Sequence, residues 1–157
     1  MRVLNDPLIR VYADTSVYGG VFDDEFAHFS QVFFQNVRKR RFKLVVSEVV
    51  RAELAFAPEV VRDLAQELMP ISELLSASPA ALALQQAYIK AKIVTQKSEA
   101  DAFHVALATI GQCGIIVSWN CKHIVHFQKV PLYNSVSVKM GYAPLSILTP
   151  MEVAYAG

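Results

Sequence analysis

The stretch Ile9-Arg10-Val11-Tyr12-Ala13-Asp14-Thr15-Ser16 decides the fold that this sequence predicts. Its first five residues favour a β-strand, and the polar triplet that follows ends the strand at Asp14. Two later runs, Leu44-Val45-Val46 and Ile115-Ile116-Val117, are continuously apolar, which is typical of strands buried on both faces of a parallel sheet. The sequence therefore places a carboxylate directly after a strand of the predicted core.

Helical patterns separate the strand-like runs. Phe29, Val32, Phe33 and Val37, for example, recur at helical spacing. Strands that alternate with helices indicate βαβ units, so we predict a single α/β domain over residues 1–157 with a mostly parallel sheet. The predicted strands are residues 9–13, 42–46, 71–75, 115–118 and 146–148. A short turn or helix is predicted over residues 17–21, and helices are predicted to begin near residues 23, 47, 58, 78, 98, 131 and 150.

Composition limits the classes of protein to consider. The net charge of +1 argues against a strongly basic coat of the histone kind, although a local basic patch can still contact phosphates. Two cysteines in 157 residues are too few for a disulfide framework and fit a reducing compartment. The N-terminal residues contain no secretory signal, and no apolar run approaches the roughly 20 residues that span a bilayer. We therefore predict a soluble cytoplasmic protein without a membrane segment.

Three carboxylates stand beside elements of the predicted core. Asp14 follows the first strand, Glu53 lies on the helix that leaves the second strand, and Asp101 begins the helix that leads to the fourth strand. A buried carboxylate must be paired, neutralised or bound to a metal. The carboxyl ends of parallel strands form one edge, where Ser118 and Asn120 also lie. We therefore expect these side chains to meet in one cleft around a shared cation.

The donor atoms of this predicted cleft indicate the metal and its chemistry. Carboxylate and amide oxygens without a cysteine–histidine set favour Mg²⁺ or Mn²⁺ over zinc. Such an ion activates water and clamps a phosphate, so phosphodiester cleavage is the leading hypothesis. Lys122 would steady the scissile phosphate. His123 is interpreted either as a proton donor or as an exposed loop residue.

Each of these acids also has a purely structural interpretation. Asp14 would be a turn residue or a helix N-cap. Glu53 would form an ion pair with Arg51 or another basic side chain, although residues two positions apart on a helix do not face each other. Ser98-Glu99-Ala100-Asp101 matches a capping box, in which Asp101 only closes the start of a helix. The basic run at residues 38–43 is interpreted either as a contact for the RNA backbone or as a solvated helix end that suits the helix dipole.

Four motifs carry a family resemblance that covers nearly the whole chain. In chain order they are Val11-Tyr12-Ala13-Asp14-Thr15-Ser16, Val46-Ser47-Glu48-Val49-Val50-Arg51-Ala52-Glu53-Leu54, Glu99-Ala100-Asp101-Ala102-Phe103-His104-Val105-Ala106 and Ile116-Val117-Ser118-Trp119-Asn120. Together they resemble a PIN-domain ribonuclease of the kind found as toxins in bacterial VapBC toxin–antitoxin pairs.

The resemblance implies a three-layer α/β/α sandwich and a ribonuclease that depends on Mg²⁺ or Mn²⁺. It implies that Asp14, Glu53 and Asp101 form the metal site, with a hydroxyl of Thr15 or Ser16 near the first acid. It also implies a cognate antitoxin and a homodimer as partners.

Asn120 departs from the pattern, because the family usually has a fourth acid at this position. An asparagine still offers a carbonyl oxygen to a hard cation, but it removes one negative charge. The sequence therefore leaves two functions open. One is a metal-dependent endoribonuclease that uses Asn120 as a fourth ligand, and the other is a catalytically weak or inactive domain that binds RNA or a protein.

Overall fold

Five strands form the central sheet of the computed structural model, which describes residues 8–155. The strands are β1 (Ile9–Ala13), β2 (Phe42–Ser47), β3 (Glu73–Leu75), β4 (Ile115–Val117) and β5 (Ser146–Leu148). Their order across the sheet is β3-β2-β1-β4-β5, and each neighbouring pair is parallel. The prediction of a mostly parallel sheet is confirmed.

Helices cover the sheet in two packed groups. They are α1 (Thr15–Gly20), α2 (Ala27–Arg38), α3 (Glu48–Leu54), α4 (Glu59–Leu68), α5 (Pro79–Lys90), α6 (Glu99–Ile110), α7 (Lys129–Lys139) and α8 (Pro150–Val153). Helix α1 contacts α2, α3 and α4, helix α3 contacts α4, and α8 packs on α2, whereas α5 packs on both α6 and α7. This arrangement is the three-layer α/β/α sandwich that was expected, and it is consistent with a PIN-like fold.

The strand order creates a switch point in the middle of the sheet. The chain runs from β1 outward to β2 and β3, then crosses back to β4 and β5 on the other side of β1. In open parallel sheets, the crevice for ligands lies outside the carboxyl ends of the two strands where the order reverses. Those ends are Ala13 and Val117, which pair with each other. Asp14 and Ser118 therefore stand side by side at the switch point.

Sequence patterns placed the strands more accurately than the ends of the helices. The helix predicted from Asp23 begins at Ala27 instead. The acids before it form turns, because Asp23 accepts hydrogen bonds from the backbone N–H groups of Glu25 and Phe26. Ser98 is the N-cap residue of α6, as predicted, but its side chain makes no capping hydrogen bond, so the capping-box interpretation of Asp101 fails.

The predicted end of α6 at Gly114 is wrong as well. The helix ends at Ile110, and Gln112 takes the left-handed conformation with a φ of 57°. Gly114 instead donates its N–H to the carbonyl oxygen of Arg10, at 3.0 Å, and so leads into β4.

Two further expectations concern a secretory signal at the N-terminus and a membrane-spanning helix. The N-terminal segment 1–7, in which the sequence shows no secretory signal, lies outside the described residues. Between residues 8 and 155, no helix combines the length and the apolar character that crossing a membrane requires.

Gly20 allows the side chain of Trp119 to lie against α1 and α2. A Cβ atom at Gly20 would come within 2.6 Å of the Ser30 hydroxyl and 2.9 Å of Trp119 Nε1. These two groups form a hydrogen bond of 2.8 Å, and the Trp119 ring also stacks on Phe26 with the ring centroids 4.5 Å apart. The loop after β4 is thus fixed to α2 through a contact that only glycine permits.

We expect Gly20→Ala to lower the free energy of unfolding by about 1–3 kcal/mol, because the new methyl group displaces the Trp119–Ser30 pair. Urea unfolding measures this change. Trp119 is the single tryptophan of the chain, so its fluorescence spectrum reports the displacement directly. The matched control is Gly19→Ala, whose Cβ would meet no atom within 4 Å and which should not destabilise the helix. Equal spectra and stabilities for the two variants would contradict this account.

Candidate functional site

Asp14 is a buried carboxylate held by a set of hydrogen bonds. Its side chain is 4% exposed and caps the N-terminus of α1. One oxygen accepts hydrogen bonds from the N–H and the hydroxyl of Ser16, at 3.1 and 2.5 Å, and the other accepts one from the Ser118 hydroxyl at 2.6 Å. Burial raises the pKa of Asp14, although the charge of His104 and the two serines act in the opposite direction. The charged form is therefore costly here.

The loop after β4 is tied to Asp14 through the same serines. The Ser16 hydroxyl accepts the N–H of Trp119 at 2.9 Å, and the Ser118 hydroxyl accepts the N–H of Asn120 at 2.9 Å. The Asn120 side-chain oxygen accepts the N–H of His123 at 2.9 Å. Asn120 therefore closes its own turn with the oxygen that was predicted to be a metal ligand.

A second buried network leads to Glu53. The Glu53 carboxylate lies 2.6 Å from His104 Nε2, and His104 Nδ1 lies 2.7 Å from the hydroxyl of Tyr12. That hydroxyl is in turn 2.7 Å from the hydroxyl of Ser47, which caps α3 by accepting the N–H of Val50. One continuous set of hydrogen bonds thus connects strands β1 and β2, helix α6 and the end of α3.

The charges of all three carboxylates raise the pKa of His104. Burial lowers its pKa, but the hydrogen bond to Glu53 and the charges of Asp14, Glu53 and Asp101 outweigh burial, so the pKa stands above its usual value. With both ring nitrogens bonded, the imidazole has a fixed orientation. His104 therefore holds Glu53 by a direct contact and responds to the charges of Asp14 and Asp101.

The three carboxylates differ in how deeply they are buried. Asp14 is buried, Asp101 is partly exposed, and the side chain of Glu53 is 40% exposed. The expectation that all three acids lie where burial is costly is therefore wrong for Glu53. Among residues 8–155, no group of three or more histidine, cysteine or acidic side chains is close enough to hold a metal ion. A cation shared by Asp14, Glu53 and Asp101 stays a prediction.

The residues proposed to bind substrate fall into two sets. Ser16 and Ser118 contact Asp14 directly, whereas the Thr15 hydroxyl is buried with no hydrogen-bond partner among the described residues. Lys122 is exposed, and the carbonyl oxygen of His123 accepts the hydroxyl of Tyr133. No described hydrogen bond or ion pair joins Lys122 or His123 to a carboxylate of the site.

Sequence reasoning missed His104 and the hydroxyls behind it. The partner of Glu53 is His104, fifty-one positions away, and not a neighbouring arginine. A signal did exist, since His104 is one of few polar residues in a helix that is otherwise apolar, and it follows Asp101 by one turn. The buried Tyr12 gave no such signal, because a tyrosine in a strand is ordinary core.

Solved structures share this fold. The chain matches FitAcB from Neisseria gonorrhoeae with a TM-score of 0.58 and 12% identity, covering 90% of this chain and 98% of that one. It matches VapBC2 from Rickettsia felis, bound to a DNA fragment from its promoter, with a TM-score of 0.58 and 12% identity over 89% and 98% of the chains. It also matches FitAB bound to an IR36 DNA fragment, with a TM-score of 0.57 and 11% identity over 89% and 94%.

These findings correct the family resemblance. No protein-family model matches the chain, and no curated protein matches it either. The matched structures are of complexes, and the matched chains could be either component. At 11–12% identity the likeness shows the fold alone. The assignment of this chain to the VapC-like PIN-domain toxins is therefore wrong, and the α/β fold is what stands.

We expect Asp14→Asn to raise the free energy of unfolding at pH 7 by about 1 kcal/mol, because it removes a charge that burial disfavours. The folded pKa of Asp14 is raised, so the native protein loses stability as pH rises above the usual value of 3.8. The advantage of the variant should be absent below that pH and complete above the raised pKa. Thermal unfolding from pH 3 to pH 7 measures this difference, and Asp24→Asn, on an exposed residue, is the control.

We expect Tyr12→Phe to lower the free energy of unfolding by about 1–3 kcal/mol, because His104 and Ser47 each lose a buried hydrogen-bond partner. Tyr155→Phe is the matched control, since Tyr155 is 78% exposed and its hydroxyl makes only a surface contact of 3.3 Å with His28. Chemical denaturation compares the two variants. A loss no larger for Tyr12→Phe than for the control would mean that the network contributes no stability.

Proposed function

We propose that this protein is a metal-dependent endoribonuclease that hydrolyses RNA phosphodiester bonds. Asp14, Glu53 and Asp101, with the carbonyl oxygen of Asn120, would hold Mg²⁺ or Mn²⁺. The observation that carries the proposal is the placement of Asp14, a buried carboxylate at the carboxyl end of β1 where the strand order reverses. Carboxylates whose ionisation is disfavoured by burial occur often at functional sites, and this one lies at the ligand-binding edge of the sheet.

The donor chemistry of the cleft fits a hard divalent cation. Asp14 is desolvated, and a cation would compensate its charge more fully than the serines do. Asn120 keeps a second lone pair on the oxygen that His123 uses, so it retains one site for a ligand. Since Glu53 is bonded to His104, a cation that used all three carboxylates would require side chains to move.

The chain's own residues would orient the reacting groups. Ser16 and Ser118 fix both oxygens of Asp14, and His104 fixes the carboxylate of Glu53. The exposed ammonium group of Lys122, two residues beyond Asn120, would attract the RNA backbone. A bound divalent ion supplies a water of lowered pKa and compensates the charge that develops on the phosphate.

The structural neighbours support a role in a two-component system. FitAB and VapBC2 are toxin–antitoxin systems, and the fold shared with them supports the proposal that this chain is the ribonuclease of such a pair, with a cognate antitoxin. A homodimer and a cytoplasmic location also remain predictions.

We expect the purified protein to cleave single-stranded RNA with Mn²⁺ or Mg²⁺ and to lose that activity in EDTA. Asp14→Asn, Glu53→Gln and Asp101→Asn should each lower the rate by about 100-fold or more, the scale of removing one preorganised electrostatic group. Glu67→Gln is the matched control, because Glu67 forms only a surface ion pair with Arg38. Gel analysis of the cleaved RNA gives the rates.

Retention of full, metal-dependent cleavage by any of the three variants would remove that residue from the site. Because Asp14→Asn is also expected to stabilise the fold, its loss of activity is separable from unfolding. A thermal melt of each preparation makes this distinction.

The second candidate is a domain that binds RNA or a protein without cleaving RNA. Two observations favour it: Asn120 stands where a fourth acid was expected and closes its own turn, and no metal-binding group of three side chains is assembled among residues 8–155. Calorimetric titration with Mn²⁺ separates the two candidates. Absence of metal binding, together with RNA binding in EDTA, would select the binding domain.

A further inference from the structure

A pocket of about 280 Å³ lies between α1, α3 and α4 and is distinct from the carboxylate cleft. We call it the α3–α4 pocket. Its wall includes the following side chains: Tyr18, Arg51, Leu54, Arg62, Gln66 and Met69. Leu54 is buried and Met69 is partly buried, whereas the two arginines and Gln66 are exposed. The pocket therefore combines an apolar interior with a basic, polar mouth.

The two arginines at the pocket are available to a ligand. The guanidinium group of Arg51 has no hydrogen bond or ion pair among the described residues, and that of Arg62 donates only to the carbonyl oxygen of Ala57, at 2.9 Å. Asp63 also lines the pocket, but no described ion pair joins it to either arginine. Arg51, Arg62 and Asp63 together give the pocket a net charge of +1. Guanidinium groups bind phosphate in a two-pronged manner, so an anion of this kind fits the mouth.

Tyr18 supplies an independent sign of a ligand. It is 1% exposed, it lines the pocket, and its hydroxyl has no hydrogen-bond partner among the described residues. A buried hydroxyl without a partner is costly and rare in proteins. Burial raises the pKa of Tyr18, and the charge of Asp14 raises it further, so the hydroxyl stays protonated and can donate. An acceptor atom of a ligand would satisfy it.

The pocket adjoins the candidate active site. Asp14 caps the N-terminus of α1, and Tyr18 lies one turn further along the same helix. Arg51 and Glu53 belong to the same helix, and residues two positions apart point to different sides of it. Glu53 points to His104, whereas Arg51 points to the pocket. A chain of nucleotides that crosses the carboxylate cleft would therefore continue past α3 into the pocket.

We propose that the α3–α4 pocket holds one nucleotide of the RNA next to the bond that is cleaved. Its phosphate would lie between Arg51 and Arg62, and an acceptor atom would receive the Tyr18 hydroxyl. The volume is just below the 300–1,000 Å³ of ordinary small-molecule sites, which suits a single nucleotide. This inference rests on the proposed function in taking RNA as the ligand and the carboxylate cleft as the place of cleavage, and the binding test depends on the first of these alone.

Binding in EDTA tests the pocket separately from catalysis. The probe is a fluorescein-labelled pentaribonucleotide, and fluorescence anisotropy gives the dissociation constant at several salt concentrations. Arg51→Gln combined with Arg62→Gln should raise the dissociation constant more than about tenfold and flatten its salt dependence by about one unit of slope. The charge-matched control is Lys90→Gln combined with Lys97→Gln, on exposed residues away from the pocket, which should have little effect.

Tyr18→Phe gives a second, uncharged test. It should raise the thermal stability of the free protein, because it removes an unpartnered buried hydroxyl, and weaken RNA binding about threefold at unchanged salt slope. Equal losses for the pocket and control double variants, or unaltered RNA affinity of the pocket variants, would overturn the proposal. Binding of a hepta-glutamate peptide through the two arginines, without binding of RNA, would also overturn the proposal. The pocket would then bind an acidic protein segment.

The two proposals fail in different ways. Pocket-dependent RNA binding in EDTA without cleavage in Mn²⁺ supports the pocket and rejects the nuclease. Cleavage in Mn²⁺ with pocket variants that bind RNA as the native protein does rejects the pocket and keeps the nuclease.

Discussion

The negative charge of Asp14 is the constraint around which the middle of this fold is arranged. A carboxylate that is 4% exposed must find its hydrogen bonds within the protein, and Asp14 obtains them from Ser16 and Ser118. Ser118 is in reach only because Ala13 pairs with Val117 across the sheet. A slip of one residue in that pairing would turn the hydroxyl to the other face of β4. The hydrogen bonds that stabilise the Asp14 carboxylate therefore depend on the register of the two central strands.

His104 interacts electrostatically with all three carboxylates of the site. Like charges repel, so a positive group among several acids favours their charged forms. His104 fills this role, since the charges of Asp14, Glu53 and Asp101 all favour its protonated form. Its contact with Tyr12 places the ring against the central strand. The buried His104 thus hydrogen-bonds to Glu53 and is favoured in its protonated form by the charges of the other two carboxylates.

The strands and the position of Asp14 were predictable because they depend on local sequence. Alternation of apolar runs with turn residues gave Ile9–Ala13 and Ser146–Leu148 with the bounds that the structure has. The C-terminal end of α6 and the capping contact at its N-terminus were not predictable in the same way. Ser98 has the residue type of a cap but a backbone that does not offer its oxygen to the helix, and Gly114 is used by the sheet. Local preference was overruled there by tertiary contacts.

The site could be predicted only in part, for a similar reason. Which acids lie near the edge follows from strand order, but what each acid touches depends on side chains brought together from distant parts of the chain. Glu53 meets His104, and the oxygen of Asn120 turns back to His123 instead of reaching the carboxylates. Neither pairing can be predicted from the spacing of the residues in the sequence.

Helix α3 shows how closely the site and its surroundings are coupled. Seven residues make fewer than two turns, and such a helix is not stable alone, so its position depends on tertiary contacts. The Ser47 hydroxyl supports α3 in two ways, because it caps the helix locally and also forms a hydrogen bond with Tyr12 of the central strand. The same helix presents Glu53 to His104 and Arg51 to the α3–α4 pocket. A change at Ser47 or Tyr12 would therefore move both side chains together, which ties the geometry of the carboxylate cleft to that of the basic pocket beside it.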